Sequence, residues 1–167
     1  LESIINDNER TLNHDTSLYS GKRLTDADKK INNAIESYAH DNGKVILILD
    51  DTVFGNGKKG LYLTEENLHI NEAEFTSRSE GGTKWEGASI KVRDIISIRA
   101  DVNDHELRVR GKFDDSKSIT FKYTSFLDKN IKTLTECIKQ YNAQFEDSEA
   151  TPSSVSPSIL GGFCWLK

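Results

Sequence analysis

The chain has 167 residues, a formal net charge of −5 and a sequence pI of about 5.4. This acidic balance disfavours general binding to nucleic-acid backbones, and the lack of any run of about 18 apolar residues predicts no transmembrane segment. The 35% of hydrophobic residues concentrate in the middle of the chain. We therefore predict a flexible N-terminal segment (1–24), one folded domain (25–145), and a linker with an apolar tail (146–167).

A short helix followed by a buried strand is predicted at the start of the domain. Thr25 and Asp28 have the spacing of a capping box, and apolar residues follow at helical spacing until the turn residues 41–43. The run KVILIL at 44–49 is short, continuous and rich in β-branched residues. Such a run is typical of a buried strand.

A hairpin is predicted next along the chain. Residues 60–64 and 68–70 are apolar stretches on either side of the polar turn Glu65-Glu66-Asn67, which is the pattern of two antiparallel strands joined by a short loop. Residues 74–84 are rich in Gly, Ser, Thr and charged residues. We expect them to form a mobile loop, with Trp85 either starting the next strand or covering the edge of the core.

The second half of the domain is also predicted to consist of strands. The alternation breaks near Asp94, where we expect a bulge or turn, and Ile96 and Ile98 are expected to resume the buried face. Residues 107–113 and 119–123 alternate apolar with polar side chains. They predict a second hairpin whose arginines and lysines lie on the solvent face.

One amphipathic helix is predicted to close the domain. Six apolar residues recur at spacings of four and three, and they form a single stripe that we call the helix ridge: Leu127, Ile131, Leu134, Ile138, Tyr141 and Phe145. Burying each of them contributes about 1.5–3 kcal/mol before entropy is subtracted. This helix is therefore expected to be docked on the strands, and Ser125 with Asp128 predicts a capping box at its start.

Two segments resemble bacterial pleckstrin-homology-like (PH-like) and GRAM-like domains. Residues 60–69 (GLYLTEENLH) resemble the hairpin of that family, and residues 90–98 (IKVRDIISI) resemble its next strand element. Residues 32–39 and 50–55 are similar to a subset of uncharacterised bacterial proteins with this domain. The resemblance covers 25–145 and implies a mainly β, α+β fold. In this fold a partly open antiparallel β-barrel or sandwich is closed by a C-terminal amphipathic helix, here preceded by a short N-terminal helix. It also implies binding or scaffolding rather than catalysis.

The glycine-rich connection 55–60 (GNGKKG) supplies the candidate ligand-binding residues, Lys58 and Lys59. The order of glycines and lysines departs from a Walker A motif, and no Ser or Thr follows to hold magnesium. A flexible inter-strand turn is the simpler interpretation. In PH domains the loop after the first strand meets anionic head groups, so the resemblance implies that role for the two lysines.

Other chemistry-bearing residues favour structural interpretations. Asp50 and Asp51 offer hard oxygen ligands for a divalent cation, but adjacent strand residues point to opposite faces, so we favour a hydrogen-bonded strand end. The four histidines lack metal-ligand spacing, and no nucleophile motif is present. Cys137 and Cys164 are expected to be free thiols, which favours a cytoplasmic location. We therefore expect no enzyme activity, catalytic residue, cofactor or metal.

The expected function is a non-enzymatic binding or scaffolding module of a bacterial cytoplasmic protein. Its partner is expected to be a protein, which includes another copy of the chain, or weakly an anionic membrane surface. One alternative is a small divalent-metal-dependent hydrolase or nuclease using Asp50 and Asp51. Another is an oligomer-building unit that uses the apolar residues 159–166. That tail has three interpretations: it adds to the core, binds a partner, or begins a longer segment.

Overall fold

The fold is known from a computed structural model. It describes residues 1–12, 17–36, 43–51, 59–77, 83–112 and 117–149. The helices are α1 (Glu2–Asp7), α2 (Glu9–Leu12), α3 (Asp28–Ala34) and α4 (Asp128–Glu149). The strands are β1 (Leu18–Ser20), β2 (Val45–Asp50), β3 (Gly60–Thr64), β4 (Asn67–Ser77), β5 (Thr83–Lys91), β6 (Ile95–Asp101), β7 (Glu106–Gly111) and β8 (Lys117–Lys122). Short 3-10 helices lie at Gly21–Ala27, Val92–Asp94 and Ser125–Leu127.

The strands form one antiparallel sheet that forks at β4. The order is β1-β2-β3-β4-β8-β7-β6, and β5 pairs with β4. Residues 68–70 of β4 pair with β3 and residues 73–77 pair with β8, while β5 follows the opposite edge of β4. The predicted α+β class with a C-terminal helix is confirmed. Within the described residues the sheet does not close into a barrel, because β1 and β6 end the strand order without pairing to each other.

Strand β2 is covered on both faces, as its continuous apolar run predicted. Leu47 and Leu49 face the main core, the large cluster that also includes the buried residues of α4. Ile48 faces the opposite side and packs in a smaller outer cluster with Tyr62 and Ala34 of α3. Because both faces are covered, residues 45–49 of this strand are all apolar, without the alternating polar side chains that a half-exposed strand needs.

Helix α4 docks through its predicted ridge. Leu127, Ile131, Leu134 and Ile138 are fully buried in the main core, and the helix contacts β6, α1 and α2. Tyr141 packs partly against the core. The ring of Phe145 lies edge-on to that of Tyr141, with centroids 5.1 Å apart, and the Arg93 guanidinium lies 4.2 Å from the Phe145 centroid. The prediction that this helix packs against antiparallel strands is confirmed.

Replacing Ile138 by valine is expected to lower the free energy of unfolding by about 1 kcal/mol, because it removes one fully buried methyl group. The matched control is Ile96→Val, at a position with 52% exposure, where we expect a change of under about 0.5 kcal/mol. Urea unfolding followed by circular dichroism measures both. Equal losses in the two variants would contradict the burial of the helix ridge.

The N-terminal segment 1–24 differs from its prediction as a flexible region. Ile5, Leu12 and Leu18 are fully buried in the main core. Helices α1 and α2 contact α4, and β1 pairs with β2. The apolar residues of this segment are too sparse to show a helical or strand period in the sequence. The segment is held in place by its contacts with α4 and β2.

Further local features differ from their predictions. A mobile loop was expected at 74–84. Its residues 74–77 lie in β4 and 83–84 in β5, where pairing between the strands satisfies the backbone hydrogen bonds. Residues 78–82 lie outside the described residues. The capping boxes do not form either. The N-cap of α3 is Ala27 rather than Thr25, and the 3-10 turn before α4 has Thr124 rather than Ser125 as its N-cap; neither N-cap makes a side-chain hydrogen bond to the turn. Helix α4 also extends to Glu149, past the predicted domain end at 145.

Candidate functional site

The end of β2 holds two adjacent buried carboxylates on opposite faces of the sheet. Asp50 is 2% and Asp51 5% exposed. Lys30 of α3 places its Nζ 2.8 Å from Asp50 Oδ2. The same Nζ lies 5.2 Å from the centroid of the Tyr19 ring. Asp50 therefore joins α3 to the outer side of β2.

Asp51 joins three distant parts of the chain. Its Oδ1 accepts hydrogen bonds from the backbone N–H and the hydroxyl of Thr124, just before α4. Its Oδ2 lies 3.3 Å from Lys59 Nζ, and its backbone N–H donates to the Lys59 carbonyl. These contacts give the carboxylate a structural role between β2, the start of β3 and the approach to α4.

This geometry argues against the metal-dependent alternative. The two carboxylates point away from each other, and each has a lysine ammonium beside it that repels a cation. No group of three or more His, Cys, Asp or Glu side chains is gathered in a metal-binding arrangement within the described parts of the chain. A divalent ion at Asp50 and Asp51 would need other ligands.

The predicted ligand-binding lysines are only partly placed. Lys58 lies outside the described residues. Lys59 is paired with the buried Asp51, so an anionic ligand would have to compete with that carboxylate for its charge. Binding at these two lysines stays a prediction.

A polar cluster lies where the β6–β7 turn meets the start of α4. His105 adopts the left-handed conformation, with a φ of +52°, and its Nδ1 lies 3.0 Å from Asp128 Oδ1. Its backbone carbonyl accepts the N–H of Tyr123. Burial first, and the nearby Asp128 second, raise the pKa of Tyr123 well above its usual value. These contacts attach the turn to α4, which sequence spacing did not indicate.

The remaining candidates for chemistry are also buried. His69 is 2% exposed and lies edge-on to Tyr62. Cys137 is 2% exposed, and burial raises the pKa of its thiol. A buried thiol with a raised pKa is a poor nucleophile. Cys164, His14 and His40 lie outside the described residues.

A cleft with a volume of about 560 Å³ lies between α1, the β3–β4 turn and α4. Glu2, Glu65 and Glu66 line it together with Lys91 and Arg93. Lys44 also forms ion pairs with Glu2 and Glu65. Opposite charges are therefore interspersed around this cleft, and they favour no single class of ligand.

A second, more apolar groove lies between β6 and the C-terminal half of α4. It has a volume of about 280 Å³. Its lining comprises Ile95, Ile96, Ser97, Ile98, Lys139, Asn142 and Ala143. Strand β6 is the last in the sheet order, so its outer edge has no strand partner within the described ranges. Ile96 is 52% exposed on this edge.

The position of Ile96 corrects the sequence prediction that it faces the core. The β6–β7 register shifts between Ile95 and Ser97, and Ile95 and Ile98 are buried while Ile96 is exposed. A bulge adds one residue to a strand and changes the face on which later side chains lie. The break lies near Asp94 as predicted, and Ile98 is buried as expected, but Ile96 is not.

Asn142 holds the two sides of this groove together. Its Nδ2 donates to the carbonyls of Val92 and Ile95, at 3.0 and 3.2 Å. Because both partners are acceptors, the amide orientation is determined. Its Oδ1 is buried and has no hydrogen-bond partner among the described residues, which is uncommon for a buried polar atom.

Comparison with known proteins does not identify the chain. No family model matches it, and no curated protein is significantly similar to it in sequence. In the parts of the chain that are described, none of the helices has both the length and the apolar character needed to cross a membrane.

Proposed function

We propose that this chain is a non-enzymatic binding module of PH-like organisation that recognises an extended segment of a protein in the groove between β6 and α4. Seven consecutive strands, β2 to β8, support the PH-like part. Each of β2, β3 and β4 pairs with the next strand along the chain, up to β5. A 3-10 helix at Val92–Asp94 then interrupts the series, and β6, β7 and β8 follow before α4, with β6 paired to β7 and β7 to β8. Its bacterial origin and cytoplasmic location stay predictions from the sequence.

The observation that carries the proposal is an exposed isoleucine on an unpaired edge strand beside a helix. An edge strand offers a row of backbone donors and acceptors that an extended peptide can pair with. Ile96 on β6 and Ala143 on α4 offer apolar contact for alternate side chains of such a peptide. Backbone pairing then provides affinity, and the groove provides selectivity.

A protein partner is favoured over an anionic membrane by the charges of the described residues. The lysine proposed to meet a head group, Lys59, pairs with Asp51. Arg108 on the outer face of the second hairpin pairs with Glu106 at 2.6 Å. Arg99 lies 3.5 Å from Asp101. Cations that already have carboxylate neighbours gain less from an anionic surface.

The proposal is tested with peptides selected from a random library on the full chain. Replacing Ile96 by glutamate is expected to weaken their binding at least about tenfold, because the charge would have to be buried on binding. The control is Val102→Glu, since Val102 is also exposed, at 42%, but lies beyond the groove; we expect a change of under about twofold. Isothermal titration calorimetry measures both.

Nuclear magnetic resonance then locates the bound peptides. Amide shifts confined to β6 and the Lys139–Ala143 side of α4 would support the proposal. Selected peptides that shift residues elsewhere, or that bind Ile96→Glu as tightly as the native chain, would overturn it. Circular dichroism of each variant checks that the exposed substitution leaves the fold intact.

A further inference from the structure

We propose that residues 159–166 of this same chain occupy the β6–α4 groove, so that the module is blocked by its own tail. This inference rests on the proposed binding groove and names its resident occupant. The groove supplies an unpaired strand edge with Ile96 exposed on it. The tail supplies the sequence ILGGFCWL, an apolar segment that follows a stretch rich in serine and proline.

The tether has the length that this docking needs. Helix α4 ends at Glu149, and the groove contacts it between Lys139 and Ala143, about 9–15 Å back along the helix axis at 1.5 Å per residue. Residues 150–158 separate the helix end from the apolar segment and span up to about 30 Å when extended. The segment therefore reaches the groove by turning back along α4.

The tail has the chemistry of an added strand. Phe163 and Trp165 are two residues apart, so in an extended conformation they lie on one face and can both contact Ile96 and the α4 side of the groove. The only charged residue after position 149 is Lys167, so no charge is buried with the segment. Large aromatic side chains left in water favour any available apolar surface.

Tethering favours occupation of the groove by the segment. Because the segment is tethered, its effective concentration at the groove is of the order of millimolar. Even a weak contact is then occupied, and an external peptide has to displace it.

Hydrogen exchange of the full chain tests the docking. In the double variant Phe163→Asp/Trp165→Asp, the amides of β6 that do not bond to β7 are expected to exchange at least about tenfold faster than in the native chain, because the added strand no longer protects them. The charge-matched control is Ser153→Asp/Ser154→Asp in the linker, which is expected to exchange like the native chain. Equal β6 exchange in all three proteins would overturn the proposal.

Disulfide formation tests which chain supplies the tail. In Ile96→Cys, mild oxidation is expected to join position 96 to Cys164 within one molecule, since the remaining Cys137 is buried. The control is Lys29→Cys, on the exposed side of α3. Tethering alone would give both engineered thiols a comparable encounter concentration with Cys164. Because only position 96 lies where the tail docks, the bond to position 29 is expected to form at least about tenfold more slowly. A bond formed only between two molecules, or equal rates in the two variants, would overturn the proposal.

The library peptides separate this inference from the proposed function. If the tail blocks the groove, the double variant Phe163→Asp/Trp165→Asp binds them at least about tenfold more tightly than the native chain. Equal binding by both chains at the β6–α4 groove would overturn the tail inference and retain the proposed function. Protection of β6 by the tail without peptide binding in either chain would retain the tail inference and overturn the proposed function.

Discussion

Replacing Gly60 by alanine is expected to lower the free energy of unfolding by at least about 3 kcal/mol, because both the backbone angle and the available space exclude a side chain. Gly60 has a φ of +142° at the start of β3. A Cβ added there would lie 1.9 Å from the carbonyl oxygen of Leu49 in β2. That oxygen belongs to a paired strand, so relief would require β2 and β3 to separate. A loss of this size is a large part of the stability of an ordinary domain.

Gly21→Ala is the matched control for this prediction. Gly21 also has a positive φ, +50°, but the nearest atom to an added Cβ is the Glu9 Oε1 at 2.7 Å, at the end of a flexible side chain. We expect a loss of about 1–2 kcal/mol, which is the usual cost of a left-handed conformation for a residue with a Cβ. Urea unfolding measures both variants. Comparable losses at the two glycines would contradict the close approach of β2 and β3 at Gly60.

Replacing Asp51 by alanine is expected to cost about 3 kcal/mol of unfolding free energy, since it removes one partner from a buried polar group of contacts. The Thr124 N–H and hydroxyl would lose their acceptor, and Lys59 would lose its carboxylate. Asp51→Asn retains an oxygen for Thr124 and is expected to lose about half as much, because hydrogen bonds to Thr124 remain. Thermal and urea unfolding provide the comparison.

Asp104→Ala controls for the loss of a carboxylate as such. Asp104 is exposed in the turn after β6, and its replacement is expected to change stability by under about 0.5 kcal/mol. A loss at Asp51 no larger than this would contradict its structural role. If magnesium or manganese raised the melting temperature of the native chain but not of Asp51→Ala, the metal-dependent alternative would gain support instead.

Sequence patterns predicted the parts of the fold in which the spacing of nearby residues determines which side chains are buried. The ridge from Leu127 to Ile138 lies at helical spacing, so one face of α4 was identifiable as buried before its neighbours were known. The continuous run in β2 likewise predicted a strand covered on both faces. In both cases the period of the backbone alone selects which side chains share a face.

The sequence was less informative where pairing between distant segments decides the outcome. Residues 1–12 contain few apolar side chains, and their helices are ordered by contacts with α4, more than 100 residues later. Strands β4 and β5 contain Gly, Ser and Thr in place of a clear apolar alternation, and pairing of β4 on both edges stabilises them. Local propensity is a weak guide when the partner strand supplies the hydrogen bonds.

The amino-acid sequence by itself determined which stretches carry an apolar face, and with them the class of fold, because side-chain period is a local property of the chain. Only the tertiary structure decided that Asp51 accepts from Thr124, 73 residues away, and that Ile96 rather than Ile95 lies exposed beside α4. These outcomes depend on where separate elements meet and on a one-residue bulge in β6. Neither the meeting of distant elements nor the partner of a charge is encoded in the spacing of nearby residues.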